Sequence, residues 1–195
     1  NNFSKRQEDN YYHFTKIRAE AIIQKLVLYG LKATIIRPAI TYGIGDRGFP
    51  YSLIKLVDRK MMFLPPHDVI IHLTNVDYLA EVFHQFIDND FAPGSAYNVA
   101  DLEPVKLLDL VNFINQELRN KKYPKNRIIA AKYFTAGEKI ARFFHNELWI
   151  ARFELISKSW FYDITNTRSD LAIKPPATIP NFRKIINWYK DKNHR

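Results

Sequence analysis

Tyr12 and Lys16 have the residue types and the spacing of a proton-transfer pair. Because they are four residues apart, they share one face of a helix and their side chains can converge. A free tyrosine keeps its proton at neutral pH, since its pKa is about 10. A nearby ammonium stabilises the phenolate and lets such a tyrosine exchange a proton with a substrate hydroxyl. A solvated Tyr and Lys on an ordinary helix is the alternative, and the surrounding sequence decides between the two.

The pair lies at the start of a stretch that predicts a helix from Tyr12 to Tyr29, with Gly30 as its stop. This helix is apolar around much of its circumference, so we expect it to be packed on more than one side. Residues 32–37 are rich in β-branched side chains and predict a short buried strand that Pro38 ends. Helix, glycine and strand in this order predict an α/β unit with a parallel sheet.

A glycine-rich segment follows this strand. Three glycines between residues 43 and 48 predict an irregular loop from Arg37 to Gly48, where open α/β sheets bind their ligands. The spacing Gly43-x-Gly45-x-x-Gly48 also fits a dinucleotide-binding turn on paper. It does not open directly into a helix, however, and no acidic residue ends a second strand about 20 residues later. We therefore interpret it as a loop of another kind, with a ligand-free surface turn as the alternative.

The remaining pattern continues the alternation of helices and strands. The predicted elements are a helix over Pro50–Lys60, a strand over Val69–Leu73, a helix capped by Thr74 or Asn75 and reaching Asn89, a helix over Glu103–Leu118 and a closing helix over Asn181–Lys192.

The segment from Lys139 to Trp160 has two apolar surfaces along one predicted helix. Ile140, Phe143, Phe144, Leu148, Ala151 and Leu155 line the first surface, and Trp149, Ile150, Phe153 and Ile156 form the second. A buried helix explains this pattern, and so does a lid over an apolar substrate or a helix on a membrane surface.

Composition excludes several classes of protein. A chain of 195 residues with 47% apolar residues is long enough for one good core or for one and a half small domains. No apolar run reaches the roughly 18 residues of a membrane span. The absence of cysteine excludes disulfides, thiolate zinc sites and a cysteine nucleophile, and we predict a cytoplasmic protein without a metal site. The net charge of +9 attracts phosphates, nucleic acid or anionic lipid. No nucleic-acid-binding motif accompanies that charge, so we predict no nucleic-acid partner.

The motif Y-H-F-T-K-I-R-A-E followed by T-I-I-R-P-A-I-T-Y-G-I-G-D resembles the extended short-chain dehydrogenase/reductase family, the NAD-dependent epimerase/dehydratase group. The resemblance continues through residues 71–80, residues 96–100 and residues 161–171. It implies a strand over residues 96–100, a late strand over residues 161–164 and a short helix over residues 168–171. It implies an α/β fold, namely the carboxyl-terminal part of a Rossmann-type doubly wound parallel sheet plus a smaller α/β substrate domain. Residues 1–48 would end the dinucleotide-binding domain. Residues 49–195 would be mainly substrate domain, with residues 69–100 returning to the Rossmann core.

Two parts of the family pattern are missing from these residues. There is no Gly-rich pyrophosphate turn, and Ser4, the only Ser or Thr upstream of Tyr12, lies too close to serve as the family's catalytic Ser or Thr. We therefore expect a partial chain that on its own binds NAD weakly and is inactive.

The resemblance also implies roles for individual residues. Tyr12 would be the catalytic acid/base, and Lys16 would hold the nicotinamide ribose of NAD or NADP. The cofactor would further be bordered, mainly through backbone, by Arg37, Pro38, Ala39, Ile40 and Thr41. Ile40 and Arg47 would contact the substrate.

Ile40 bears on the substrate class, because sugar-nucleotide epimerases of the family often carry Asn at that position. The form R-P-A-I-T-Y-G with I-H-L-T-N-V-D is more similar to the 3β-hydroxysteroid dehydrogenase branch. We therefore predict an NAD(P)-dependent oxidoreductase for an apolar small-molecule substrate. A nucleotide-sugar epimerase or dehydratase and a non-catalytic binding remnant are the alternatives. A homodimer and peripheral membrane contact are both compatible with this prediction.

Overall fold

The protein is an α/β structure with parallel strand pairs, as predicted. The computed structural model describes residues 11–145 and 147–193. The strands in these ranges are β1 (Ile35–Pro38), β2 (Ile40–Tyr42), β3 (Ile70–Ile71), β4 (Leu73–Asn75), β5 (Ala96–Val99) and β6 (Val105–Lys106). The helices are α1 (Tyr11–Val27), α2 (Phe49–Asp58), α3 (Val76–Asp88), α4 (Leu107–Arg119), α5 (Ala131–Phe143), α6 (Glu147–Ser157), α7 (Thr165–Asp170) and α8 (Thr178–Asn193).

Two parallel pairs of strands form the centre of the fold. Strand β1 pairs with β5, with Ile35 opposite Ala96, and β2 pairs with β4, with Ile40 opposite Leu73. Only Ala39 separates β1 from β2, so the chain changes its partner from β5 to β4 while it continues in the same direction. All four strands therefore run in the same direction, and β2 and β4 finish at the end of the sheet where ligands bind in open α/β folds.

The prediction of a loop from Arg37 onward was wrong for its first half, which forms β2. Strand β1 ends at Pro38, as predicted, but the chain continues in the same direction into β2. The backbone N–H groups that face β5 belong to residues on either side of Pro38. Ile35 donates to the Ser95 carbonyl at 2.8 Å and Ala39 donates to the Val99 carbonyl at 2.9 Å. The missing donor of Pro38 therefore faces away from the partner strand, where it costs no ladder hydrogen bond.

Helix α1 ends as predicted, since Gly30 adopts φ +97° and the N–H of Leu31 donates back to the Leu26 carbonyl at 3.1 Å. The expectation that this helix is packed on several sides was wrong for the described residues. Ile22, Leu26 and Tyr29 are exposed. The described part of the chain thus covers only part of the apolar surface of α1.

The main hydrophobic core lies between α2, α4 and α8 and the strands β2, β3 and β4. Its fully buried members include Tyr42, Leu53, Ile54, Ile71, Leu73, Leu107, Leu110, Ile114, Phe182, Ile185 and Ile186. The rings of Tyr42 and Phe182 lie 5.4 Å apart, which joins β2 directly to α8. A smaller apolar cluster between α3 and the β1–β5 pair contains Tyr78, Val82, Val99 and Leu171.

Three predicted elements differ in their bounds or type. The predicted strand Val69–Leu73 is interrupted at His72, whose backbone N–H donates instead to the Trp160 carbonyl at 3.1 Å. The helix predicted from Glu103 begins at Leu107, because residues 105–106 pair with β3 in an antiparallel arrangement. The late strand that the family resemblance implied around residues 161–164 is not a strand in this structure, where the chain leads directly into α7.

The predicted single helix over residues 139–160 is instead part of a helical hairpin. Helices α5 and α6 are separated by a turn in which His145 adopts φ +50°, a conformation that stops the first helix. A Cβ atom on Gly137 would lie 2.5 Å from Phe153 Cζ, so this glycine permits the close approach of the two helices. The side chains of Leu148 and Ala151 lie outside the described residues.

Within residues 11–145 and 147–193, none of the helices combines the length and apolar character that crossing a bilayer requires.

Candidate functional site

The structure brings Tyr12 and Lys16 together in the first turns of α1. The Lys16 Nζ atom lies 5.5 Å from the centroid of the Tyr12 ring, and the ring of Tyr12 also contacts His13 at 5.8 Å. Tyr12 is 64% exposed, so its side chain is accessible to a small molecule. The ammonium lies over the face of the ring in a cation–π arrangement, with both side chains at the same end of α1.

An ion pair connects the helix of this pair to β1. Arg37 donates to Glu20 through two nitrogens, with Nε at 3.0 Å from Oε2 and the second contact made by NH2 to Oε1. Such a two-pronged contact fixes orientation as well as distance. Glu20 is eight residues after Tyr12, so the ion pair lies about 12 Å along the helix axis from the tyrosine. Arg37, predicted to border a cofactor, thus has a clear second role in positioning α1.

A polar cavity of about 310 Å³ lies beside this ion pair. Its lining combines Gln24 of α1, Arg37, Asn98 of β5 and residues near the start of α7. The polar groups there already contact one another: Gln24 Nε2 donates to the Gly94 carbonyl at 2.7 Å and Asn98 Nδ2 to the Asp163 carbonyl at 3.0 Å. Neither Tyr12 nor Lys16 lines the cavity, so the cavity is separate from these two side chains.

A buried carboxylate organises the carboxyl ends of the strands. Asp101 accepts hydrogen bonds from the Tyr42 hydroxyl at 2.7 Å, the Thr178 hydroxyl at 2.7 Å and the backbone N–H of Asn75 at 2.9 Å. These donors belong to β2, α8 and β4. One side chain therefore sets the relative positions of three elements at the end of the sheet.

The predicted cap at Asn75 is confirmed, and it places the start of α3 at the same end of the sheet. The Asn75 side-chain oxygen accepts from the backbone N–H of Asp77 at 2.8 Å and of Tyr78 at 3.2 Å. Because the backbone of Asn75 is held by Asp101, the carboxylate also determines where α3 begins.

Burial shifts the proton equilibria of this network. Burial raises the pKa of Tyr42 well above its ordinary value, and the charge of Asp101 adds to the effect. Burial also raises the pKa of Asp101, against the opposing hydrogen bonds from Thr178, Tyr42 and Asn75. Tyr42 therefore keeps its proton at neutral pH and acts as a hydrogen-bond donor. Its role in the described residues is to position the chain.

The other residues predicted for the site lie in different environments. Pro38 is exposed, Ala39 is buried, and Ile40 is partly buried and packs against the main core. Thr41 lies in β2, and Arg47 is exposed in the turn that follows Gly45. Ser4 lies outside the described residues. The structure thus brings together Tyr12 and Lys16 and joins Arg37 to their helix, while the Ile40 side chain is at least partly occupied by core packing.

Two organising residues were not singled out from the sequence. Glu20 is four residues after Lys16 and eight after Tyr12, so helical spacing alone could have placed it on their side of α1. Asp101 gives only a weak signal, an acidic residue just after a buried strand. Its three donors are 59, 77 and 26 residues away in sequence, a set that no local pattern predicts.

Among the described residues, no group of three or more histidine, aspartate or glutamate side chains is arranged to hold a metal ion.

Comparison with known sequences gives no match. Neither a protein-family model nor a curated protein sequence matches the chain.

Comparison with solved structures shows the fold. The chain superposes on the crystal structure of gox2253 with a TM-score of 0.73 at 21% identity, covering 97% of this chain and 59% of that one. A nucleoside-diphosphate-sugar epimerase from Pseudomonas aeruginosa gives a TM-score of 0.71 at 16% identity, covering 95% and 57%. The Bordetella bronchiseptica enzyme WbmF, in complex with NADH, gives 0.69 at 19% identity, covering 98% and 56%. The chain therefore spans little more than half the length of these structures.

Proposed function

We propose that the natural protein containing this chain is an NAD(P)-dependent enzyme of the epimerase/dehydratase family that acts on a carbon bearing a hydroxyl or ketone. The observation that carries the proposal is the Tyr12–Lys16 pair. Its ammonium lies 5.5 Å from the tyrosine ring, on a helix joined by an ion pair to the strand that leads into the end of the sheet.

The roles of the two side chains follow from proton transfer. When an alcohol is oxidised, its hydroxyl proton would pass to the deprotonated Tyr12 oxygen as the carbonyl forms. A nicotinamide cofactor, when bound, would accept the hydride that leaves the same carbon. Lys16 would stabilise the phenolate and, through its remaining donors, hold the ribose hydroxyls. Both side chains are exposed at the same end of α1, which suits these contacts.

The names of the similar structures support the same reaction class. WbmF has been crystallised with NADH and also with NAD⁺ and UDP, and the chain resembles both structures. A dTDP-glucose 4,6-dehydratase from Bacillus anthracis, in complex with NAD, is also similar in structure. By likeness to these proteins, the cofactor proposed for this chain is NAD or NADP.

The proposed substrate class has two candidates. The prediction of an apolar alcohol depends on Ile40, where a hydrogen-bonding residue would suit a sugar. Ile40 packs against the main core, which explains its apolar character without a ligand. The names of the similar proteins favour a nucleotide sugar instead, and the net charge of +9 would attract a diphosphate.

An activity panel distinguishes the candidates. The full-length natural protein is assayed with NAD⁺ and NADP⁺ against UDP- and dTDP-sugars and against sterols and other apolar alcohols. Epimerisation is followed by product analysis and oxidation by absorbance of the reduced cofactor. Turnover of nucleotide sugars alone contradicts the apolar prediction, and turnover of apolar alcohols alone supports it. Absence of turnover across the panel, together with no binding of either cofactor, contradicts the proposed enzyme and favours a binding protein.

A further inference from the structure

The turn between α5 and α6 carries a concentrated group of exposed apolar side chains. We define the hairpin tip as Ile140, Phe143, Phe144 and Trp149, which are 59%, 78%, 71% and 50% exposed. All four lie within about one helical turn of the connection between the helices. The rings of Phe143 and Phe144 are 5.2 Å apart, so the two phenylalanines form one contiguous apolar surface.

The framework beneath the tip is well connected. Arg142 contacts Glu138 at 3.0 Å and Glu154 at 3.1 Å, and Lys158 contacts the same two carboxylates at 3.3 and 2.8 Å. This network joins α5 to α6, and the contact of Gly137 with Phe153 holds the helices close. The ion pairs and the Gly137–Phe153 contact join the two helices without using the exposed rings of the tip. These rings therefore remain available to a partner.

Two cations flank the tip. Lys139 is exposed one helical turn before Phe143, and Arg152 lies over the Trp149 ring at 5.2 Å. Arg142 and Lys158 already contact glutamates, so Lys139 and Arg152 supply the positive charge beside the tip, within a chain of net charge +9. Cations beside aromatic rings are typical of segments that lie at the boundary between lipid headgroups and acyl chains.

We infer that the hairpin tip docks on an anionic lipid bilayer, with the phenylalanines and Trp149 entering the headgroup region and the flanking cations contacting lipid phosphates. Charge complementarity identifies this partner. The anionic headgroups would attract Lys139 and Arg152, whereas an uncharged apolar protein surface would not. The inference does not depend on the proposed enzymatic function.

The test compares vesicles of phosphatidylcholine with vesicles of equal parts phosphatidylcholine and phosphatidylglycerol in a sedimentation assay. We expect the protein to bind the anionic vesicles preferentially, and added salt to weaken the binding. The double variant Phe143→Ser/Phe144→Ser should lower the partition coefficient by about tenfold or more. Its matched control, Phe83→Ser/Ile87→Ser, removes two exposed apolar side chains from α3 and should bind as the unaltered protein does.

A second pair of variants tests the charge. Lys139→Glu/Arg152→Glu should lose the preference for anionic vesicles, whereas Lys25→Glu/Lys32→Glu, with the same total charge, should largely keep it. Circular dichroism confirms that each variant is folded. Failure of the unaltered protein to prefer anionic vesicles overturns the inference, and so does equal loss in the control variants. Absence of vesicle binding together with a tip-dependent change in oligomeric state would show that the tip contacts protein instead.

Discussion

The ion pair between Glu20 and Arg37 connects α1, the helix of Tyr12 and Lys16, to β1, and its contribution to stability can be measured. Both side chains are partly buried, and the contact is two-pronged. We expect Glu20→Gln to lower the free energy of unfolding by about 1 kcal/mol, because the amide keeps one acceptor but loses the charge. Urea titration provides the measurement. The control is Asp68→Asn, which breaks an exposed ion pair with Lys106 and should change stability little; an equal loss in both variants would argue against a specific role for Glu20.

Asp101 makes a second residue-level prediction, on pH. Because burial raises its pKa above the ordinary value of 3.8, the folded state binds a proton more tightly than the unfolded chain. Stability from this group is therefore fully present below the unfolded pKa and is lost as pH rises through the folded pKa. The stability advantage of the unaltered protein over Asp101→Asn should shrink as pH is raised from about 3 to about 8. An advantage that grows with pH would mean that the three donors outweigh burial.

The sequence was sufficient to predict contacts between residues a few positions apart, but not contacts between residues that are distant in the chain. Helical spacing predicted that Tyr12 and Lys16 would meet, and they do. The Asn75 cap was likewise predicted, because a capping side chain contacts residues two and three positions away. The convergence of Tyr42 and Thr178 on Asp101 depends on tertiary packing, which single-residue patterns do not encode.

At the scale of the elements, the contact of Gly43 with Val76 determines how closely β2 approaches the start of α3. A Cβ atom on Gly43 would lie 2.1 Å from Val76 Cγ2, far inside van der Waals contact. We expect Gly43→Ala to destabilise the protein by about 1–3 kcal/mol, because the branched side chain of Val76 has little freedom to move.

The double variant Gly43→Ala/Val76→Ala tests this cause. Removing the Val76 branches makes room for the new methyl group, so the double variant should lose less stability than the sum of the two single variants. Thermal and urea denaturation of the four proteins give the coupling energy. Strictly additive losses would show that the penalty at Gly43 has another origin.

The elements that were mispredicted share a physical explanation. Residues 40–42 form a strand because β4 supplies their hydrogen-bond partners, although glycines and proline nearby indicate a loop. The helix predicted over residues 139–160 is interrupted by a turn at His145, a residue that gives no helix-stop signal. In both cases a tertiary contact overrides the local preference. The long amphipathic helices α2, α4 and α8, by contrast, were predicted because their stripes face one core.

At the scale of the whole molecule, two separate sets of contacts hold the end of the sheet and α1 in place. Asp101 holds β2, β4 and α8 around a continuous core, and the Glu20–Arg37 and Gln24–Gly94 contacts attach α1 to the β1–β5 pair. Much of the apolar side of α1 is exposed in the described chain. The helix that carries Tyr12 and Lys16 is therefore held mainly by polar contacts, and its exact position is more sensitive to single substitutions than that of the core helices.

The global fold was predictable because the order of helices and strands restricts an α/β chain to few arrangements. Substrate class was not predictable in the same way. It depends on side chains that border a ligand. Of the residues on which the apolar prediction was based, Ile40 packs against the core, and the aromatic side chains Phe143, Phe144 and Trp149 are exposed.

The most direct test of the central claim is the turnover of Tyr12→Phe in the full-length natural protein, measured with the best substrate and cofactor from the activity panel. Removing the phenol oxygen removes the proton acceptor while the ring is kept, so turnover should fall about 100- to 10,000-fold with unchanged thermal stability. Tyr29→Phe, which makes the same chemical change at the other end of the helical region, should retain normal turnover. Near-normal turnover of Tyr12→Phe would contradict the assignment of Tyr12 as the catalytic acid/base.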